Sequence, residues 1–167
     1  MTLQELNALT PAEAEIEFRK CCGTQAWVMA MVARKPFSDR DALFSAAESI
    51  WIGLGPSDWR EAFEHHPRIG GTEELRKKFG STSAWASEEQ RGVSGASSDV
   101  IAALADGNRR YEARYGHIFL VCATGKSAAE MLAILEGRMK NSSEDELRIA
   151  AGEQAKITRI RLEKMIS

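Results

Sequence analysis

This sequence predicts an all-α fold, about eight short-to-medium helices with no sheet. Three observations lead there. Apolar residues recur at helical rather than alternating spacing along most of the chain. Cap residues and Gly or Pro stops break it into segments of helix length. The only strand-like run is "HIFLVCA", residues 117–123, and one run without a partner cannot build a sheet. With 167 residues, 44% of them apolar, a single domain over residues 1–167 can bury a sizeable core.

The elements follow in order. Thr10, Pro11 and Glu13 supply an N-cap, a first helical position without a needed N–H, and a capping-box acid, so "TPAEAEIEFRKCCG" begins a helix that Gly23 closes. Thr24 starts "QAWVMAMVARK", which stops at Pro36, and Ser38 or Asp39 starts "RDALFSAAESIWIGL", which Gly53, Gly55 and Pro56 end. Ser57 is read as the cap of "DWREAFEHH", ended by Pro67, and "TEELRKKFG" as a further short helix closed by Gly80. In the second half, "SSDVIAALADGNRRYEARYG" carries Val100, Ile101, Leu104, Tyr111 and Tyr115 at helical spacing and stops at Gly116. "HIFLVCA" is expected to be a buried extended stretch or a helical segment. "SAAEMLAILEGRMK" and "SEDELRIAAGEQAKITRIRLEKMI" complete the chain as two helices.

Composition removes several function classes. A net charge of −2 and a pI near 6.0 give no basic excess for a phosphate backbone, so no nucleic-acid partner is expected. The N-terminal stretch has neither a basic nor an apolar leader region, and no apolar run approaches the roughly 20 residues that span a bilayer. "EKMIS" at the C-terminus is not an SKL-type signal, so the expected location is the cytoplasm. Cys21 and Cys22 are neighbours and Cys122 is remote, which reads as reduced apolar filling rather than a disulfide framework or a nucleophile.

Chemistry concentrates at three places. His66 stands where proline forces the chain out of the α region, so it can leave the helix and point into a cleft with Trp59 and Phe63 packed behind it. The neutral alternative is an ordinary half-buried histidine. His65 points about 100° away, and Glu61, Glu64 and His117 offer no metal-ligand spacing, which leaves acid–base work as the functional reading. In "AWASEEQRG", residues 84–92, Ser87 and Gln90 make a capping box, and Glu88 and Glu89 suit a helix N-terminus, although such an end also holds polar ligands. In the last helix Leu147, Ala151, Ile157, Leu162 and Met165 line an apolar face that also contains Gln154 and Arg161. A guanidinium there is either paired structurally or reserved for an anionic ligand.

These places also carry a resemblance. "HPRIG" at 66–70, "EQ" at 89–90, "YGHIFLVCATGKSA" at 115–128, "EGRMKNSSEDEL" at 136–147 and "KITRIRL" at 156–162 resemble, in order and spacing, the decarboxylases of 2-oxo-4-hydroxy-4-carboxy-5-ureidoimidazoline (OHCU) in urate degradation. The resemblance spans nearly the whole chain. It implies an all-helical, cofactor-free and metal-free enzyme, usually a homodimer, that converts OHCU to (S)-allantoin. It further implies that His66 is the catalytic acid/base and Glu89 the catalytic carboxylate. Pro67 would be a pocket wall, Gln90 a substrate-binding amide and Arg161 the substrate-binding arginine. Backbone groups of Phe119, Leu120, Val121, Cys122 and Ala123 would contact the substrate. The family often has serine where this chain has Ala86, so Ser87 is expected either to replace that contact, beside Glu88, or to cap the helix.

Two other classes compete. A helical interaction module would use His66 as a helix terminator and Arg161 as an ion pair. A metal-dependent hydrolase would be built on His65 and His66.

Overall fold

The computed structural model describes residues 1–67, 75 and 94–167. Among these residues there are eight helices and no strand. They are α1 (Leu3–Ala8), α2 (Pro11–Cys21), α3 (Gln25–Arg34), α4 (Arg40–Ile52), α5 (Pro56–Glu64), α6 (Ser94–Tyr115), α7 (Ala128–Arg138) and α8 (Ser143–Met165). The all-α expectation is met. The expected helix "TEELRKKFG" lies outside the described residues apart from Leu75, which is helical and buried.

Local chemistry sets most boundaries. Thr10 accepts from the Glu13 N–H while the Glu13 carboxylate accepts from the Thr10 N–H, a capping box at the start of α2. Ser127 and Glu130 repeat the arrangement at α7, and Asp39 accepts from the Ala42 N–H at α4. α1 has the same device in Thr2 and Glu5, a helix absent from the sequence-based expectation. α5 starts earlier than predicted: Pro56 occupies the first helical position and Asp58 reaches back to the Gly55 N–H, so Ser57 is inside the helix.

The backbone falls into two compact units. The first comprises Met1–His66 and Leu147–Ser167. Its core is built on Leu6, Phe18, Trp27, Met31, Leu43, Trp51, Phe63 and Leu162, all fully or nearly fully buried. Phe18 meets Trp27 edge to face with ring centroids 6.0 Å apart. The two buried indoles are satisfied by backbone: Trp27 Nε1 donates to Ala47 O at 3.0 Å and Trp51 Nε1 to Ala151 O at 2.9 Å, the second bond tying α4 to α8. Trp59 Nε1 donates to Trp51 O at 3.4 Å.

The second unit is Pro67–Glu146. Leu75, Ile101, Leu104, Ala105, Val121, Met131 and Leu135 form its apolar cluster, with α6 and α7 as the main packed pair. "HIFLVCA" is neither helix nor strand. It is an irregular segment whose Leu120, Val121 and Cys122 are buried.

Candidate active site

His66 follows the α5 C-cap His65, and its N–H donates to Phe63 O at 3.1 Å. Pro67, next in the chain, is exposed. Proline there stops a further helical turn, and the imidazole leaves the helix end half-buried, with Nε2 2.5 Å from Oε1 of Gln154 on α8. The orientation of α5 is secured at its other face. Glu61 accepts from the Thr24 hydroxyl at 2.9 Å and from the Gln25 N–H at 3.2 Å, so its carboxylate caps α3 in place of the Thr24 side chain, which makes no cap bond of its own. Glu61 is thus a cap. His117 is buried among Tyr111 and Tyr115, with Nδ1 3.0 Å from Ile118 O. Among the described residues no three His, Cys, Asp or Glu are grouped so as to hold a metal.

His65 acquires a packing role that sequence reasoning had not given it. A Cβ placed on Gly23 would run into the His65 ring, so glycine is required there for close approach rather than only to end α2. Gly23→Ala should cost about 1–3 kcal/mol by overpacking, measured as a lower urea midpoint. Because His66 is the next residue, kcat should fall with it.

The buried face of α8 carries Leu147, Ala150, Ala151, Gln154, Thr158 and Leu162. The predicted face was right in placing Gln154 inside it, and the amide is fully buried. Gln154 Nε2 donates to Thr158 Oγ1 at 3.0 Å, one helical turn on, and Thr158 Oγ1 donates to Cys21 O at 3.5 Å. Arg161 is half-buried. Its Nη1 lies 3.4 Å from both Lys20 O and Cys21 O, the last carbonyls of α2, where a cation favours the helix dipole. Among the described residues no carboxylate pairs with it. One continuous polar path therefore joins His66, Gln154, Thr158, Cys21 O and Arg161.

Residues 119–123 belong to the second unit. Three of their carbonyls are engaged: Arg138 Nη1 donates to Leu120 O at 2.6 Å, Lys126 Nζ to Cys122 O at 2.7 Å, and the Lys126 N–H to Ala123 O at 3.0 Å. Among the described residues no acceptor is bonded to the amide N–H groups of 119–123. Ala86, Ser87, Glu88, Glu89 and Gln90 lie outside the described residues.

The cysteines are all reduced and buried. Burial pushes the Cys21 thiol up to about 12 and the Cys22 thiol up to about 11, from an ordinary 9.0. A thiol in this state is a poor nucleophile at neutral pH. Both values are raised, so the stability linked to these thiols is complete below pH 9 and declines as pH rises through 11 and 12. Native protein should react slowly with a thiol-specific disulfide reagent at pH 7, and its urea midpoint should fall above pH 9, less steeply in Cys21→Ala.

Fold and side chains together define an all-α protein in which a histidine at the end of α5 is joined by a polar path to the last helix. Comparison with known proteins gives the family. The OHCU decarboxylase model matches residues 7–163, and the chain belongs to that family. The Arabidopsis thaliana "Uric acid degradation bifunctional protein TTL" is 36% identical over 156 residues, covering 92% of this chain and 47% of that protein, so the chain spans about half of that relative. The human "Putative 2-oxo-4-hydroxy-4-carboxy-5-ureidoimidazoline decarboxylase" is 28% identical over 169 residues, covering 99% of this chain and 96% of that one. Among solved structures, an OHCU decarboxylase determined in the presence of (S)-allantoin superposes with a TM-score of 0.72 at 33% identity, covering 90% of this chain and 96% of that one. An (S)-allantoin synthase shares the fold, with a TM-score of 0.70 at 20% identity over 100% of this chain and 54% of that one. Among the described residues no helix is long and apolar enough to cross a membrane.

Proposed function

We propose that this chain decarboxylates OHCU to (S)-allantoin in urate degradation, without a cofactor or metal. In OHCU one ring carbon bears both the carboxylate and a hydroxyl, and the neighbouring ring carbon is an imine. When the carbon–carboxylate bond breaks, its electron pair moves into that imine, whose nitrogen takes up a proton. The hydroxyl then becomes the ring carbonyl as a proton reaches the neighbouring carbon, creating the stereocentre of allantoin. One CO2 leaves and one proton is taken up overall. The substrate is its own electron sink, so the protein has only to orient it and to move protons on one face.

In this reading His66 is the acid/base at the hydroxyl and Glu89 orients it. Arg161 and Gln90 hold carbonyl or ureido oxygens, a task suited to a planar guanidinium. The N–H groups of 119–123 supply further donors, and Pro67 walls the pocket, with Ala86, Ser87 and Glu88 nearby. The observation that carries the reading is the polar path from His66 to Arg161 on the buried face of α8, in a chain matched to the family over residues 7–163. The same reading makes the protein a cytoplasmic homodimer, which light scattering of the purified chain would check.

The test is a coupled system in which urate oxidase and hydroxyisourate hydrolase generate OHCU, followed by chiral analysis. OHCU also decays unaided to racemic allantoin. With the protein present, (S)-allantoin should dominate and form faster. Racemic product at the unaided rate would overturn the reading.

A further inference from the structure

We propose that Gln154 and Thr158 are positioning residues that commit Nε2 of His66 to donating a hydrogen bond, and so fix the orientation and neutral tautomer of the ring that carries out the proton transfer. The proposal rests on the reading of His66 as the acid/base.

Cys21 O is a backbone carbonyl and can only accept. Thr158 Oγ1 has Cys21 O at 3.5 Å and the Cys22 thiol as its other neighbour, and its only proton goes toward them. That hydroxyl can then only accept from Gln154, so the group facing it at 3.0 Å is the amide nitrogen. The amide oxygen is thereby turned to His66, at 2.5 Å from Nε2. An oxygen acceptor at that distance requires a proton on Nε2, whether the ring is neutral or charged. Reversing the amide would set its NH2 against Nε2, draw the Thr158 proton away from Cys21 O, and cost a hydrogen bond in a buried place. Gln154 is fully buried and Thr158 only 6% exposed, so water cannot readily replace the lost partner.

Gln154 is also expensive to bury without a reason. A primary amide in an apolar helix face costs free energy unless its donor and acceptor are both used. Leucine or methionine would fill the same space without that demand. The relay explains the amide: it links α5, α8 and the end of α2 and gives the imidazole a single orientation.

The test compares Gln154→Glu with Gln154→Met, and Thr158→Ser with Thr158→Val. Glu and Ser keep the oxygen that the relay needs; Met and Val keep the volume without it. Protein labelled with 15N-histidine contains three imidazoles, and His66 is assigned by its loss in His66→Asn. In the unliganded wild type the neutral ring should carry its proton on Nε2 and show slow exchange of that proton. Gln154→Glu and Thr158→Ser should retain the protected proton. Gln154→Met and Thr158→Val should lose it, with kcat reduced by about 10²-fold, the scale of a misplaced catalytic group, and KM changed less. A purely structural role predicts the opposite order for Gln154, since a buried carboxylate harms packing more than methionine does. A neutral ring protonated on Nδ1, or Gln154→Met with unchanged kcat, would overturn the proposal. The spectra need no substrate, so inactivity of the wild-type protein would sink only the underlying functional reading.

Discussion

Replacement of His66 by alanine should lower kcat for OHCU decarboxylation by about 10²–10⁴-fold, the usual contribution of a positioned acid/base. Product formed in its presence should revert to racemic allantoin, because the unaided reaction then outruns the enzymatic one. The fold should survive the change. His66 lies at the end of α5, half-buried and outside the apolar core, with its ring bonded to Gln154. Truncation leaves Gln154 Oε1 without that donor, a cost of about 1–3 kcal/mol, visible as a modest shift in the urea midpoint. His65→Ala is the matching control. It alters a ring that packs on Gly23 and should leave the enantiomeric excess intact. Circular dichroism of product formed from freshly generated OHCU measures both. If His66→Ala retained near-normal formation of (S)-allantoin, the role given to His66 would be wrong.

The sequence made some of this visible and hid the rest for physical reasons. Capping boxes are local, so Thr10 with Glu13 could be read directly and fixed the start of α2. Thr2 with Glu5 is the same motif, but it opens a six-residue helix with a single buried side chain, Leu6, too short to show a period. Helical periodicity placed Gln154 on the buried face of α8, yet its meaning depends on His66, 88 positions away. Arg161 was flagged as either paired or waiting. Among the described residues it faces backbone carbonyls of α2, and no pattern of side chains encodes that. Gly23 looked like a helix stop, whereas its lack of a Cβ serves His65 from another element. Arg138 and Glu146 both fall in "EGRMKNSSEDEL", a stretch that carried the resemblance, yet nothing local in it pairs them: a cation in a last turn and an acid in a first turn stand in ordinary places.

That pair gives the second large effect. Arg138→Met should destabilise the protein by about 3–5 kcal/mol, a large part of the total for a domain whose stability is about 5–15 kcal/mol. Glu146 is fully buried and Arg138 is 7% exposed. Arg138 Nε and Nη2 both lie 2.5 Å from Glu146 Oε1, the Tyr111 hydroxyl donates to the same oxygen at 2.5 Å, and Asn141 Nδ2 donates to Oε2 at 3.1 Å. Burial first, and then the bond to Glu146, push the Tyr111 hydroxyl well above its ordinary range, so it stays a donor throughout the neutral range. Without the guanidinium, Glu146 is a buried carboxylate with neutral donors only. The arginine also holds Leu120 O at 2.6 Å and lies over the Phe119 ring, 4.8 Å from its centroid. Its loss should therefore loosen residues 119–123, and kcat/KM should fall as well as the urea midpoint. Arg138→Met combined with Glu146→Leu separates the two consequences. Removing both charges should recover much of the stability, since an apolar pair can replace a buried ion pair. It should not recover kcat/KM, because the donor to Leu120 O is still missing. Equal recovery of both quantities would mean that Arg138 serves only to neutralise Glu146.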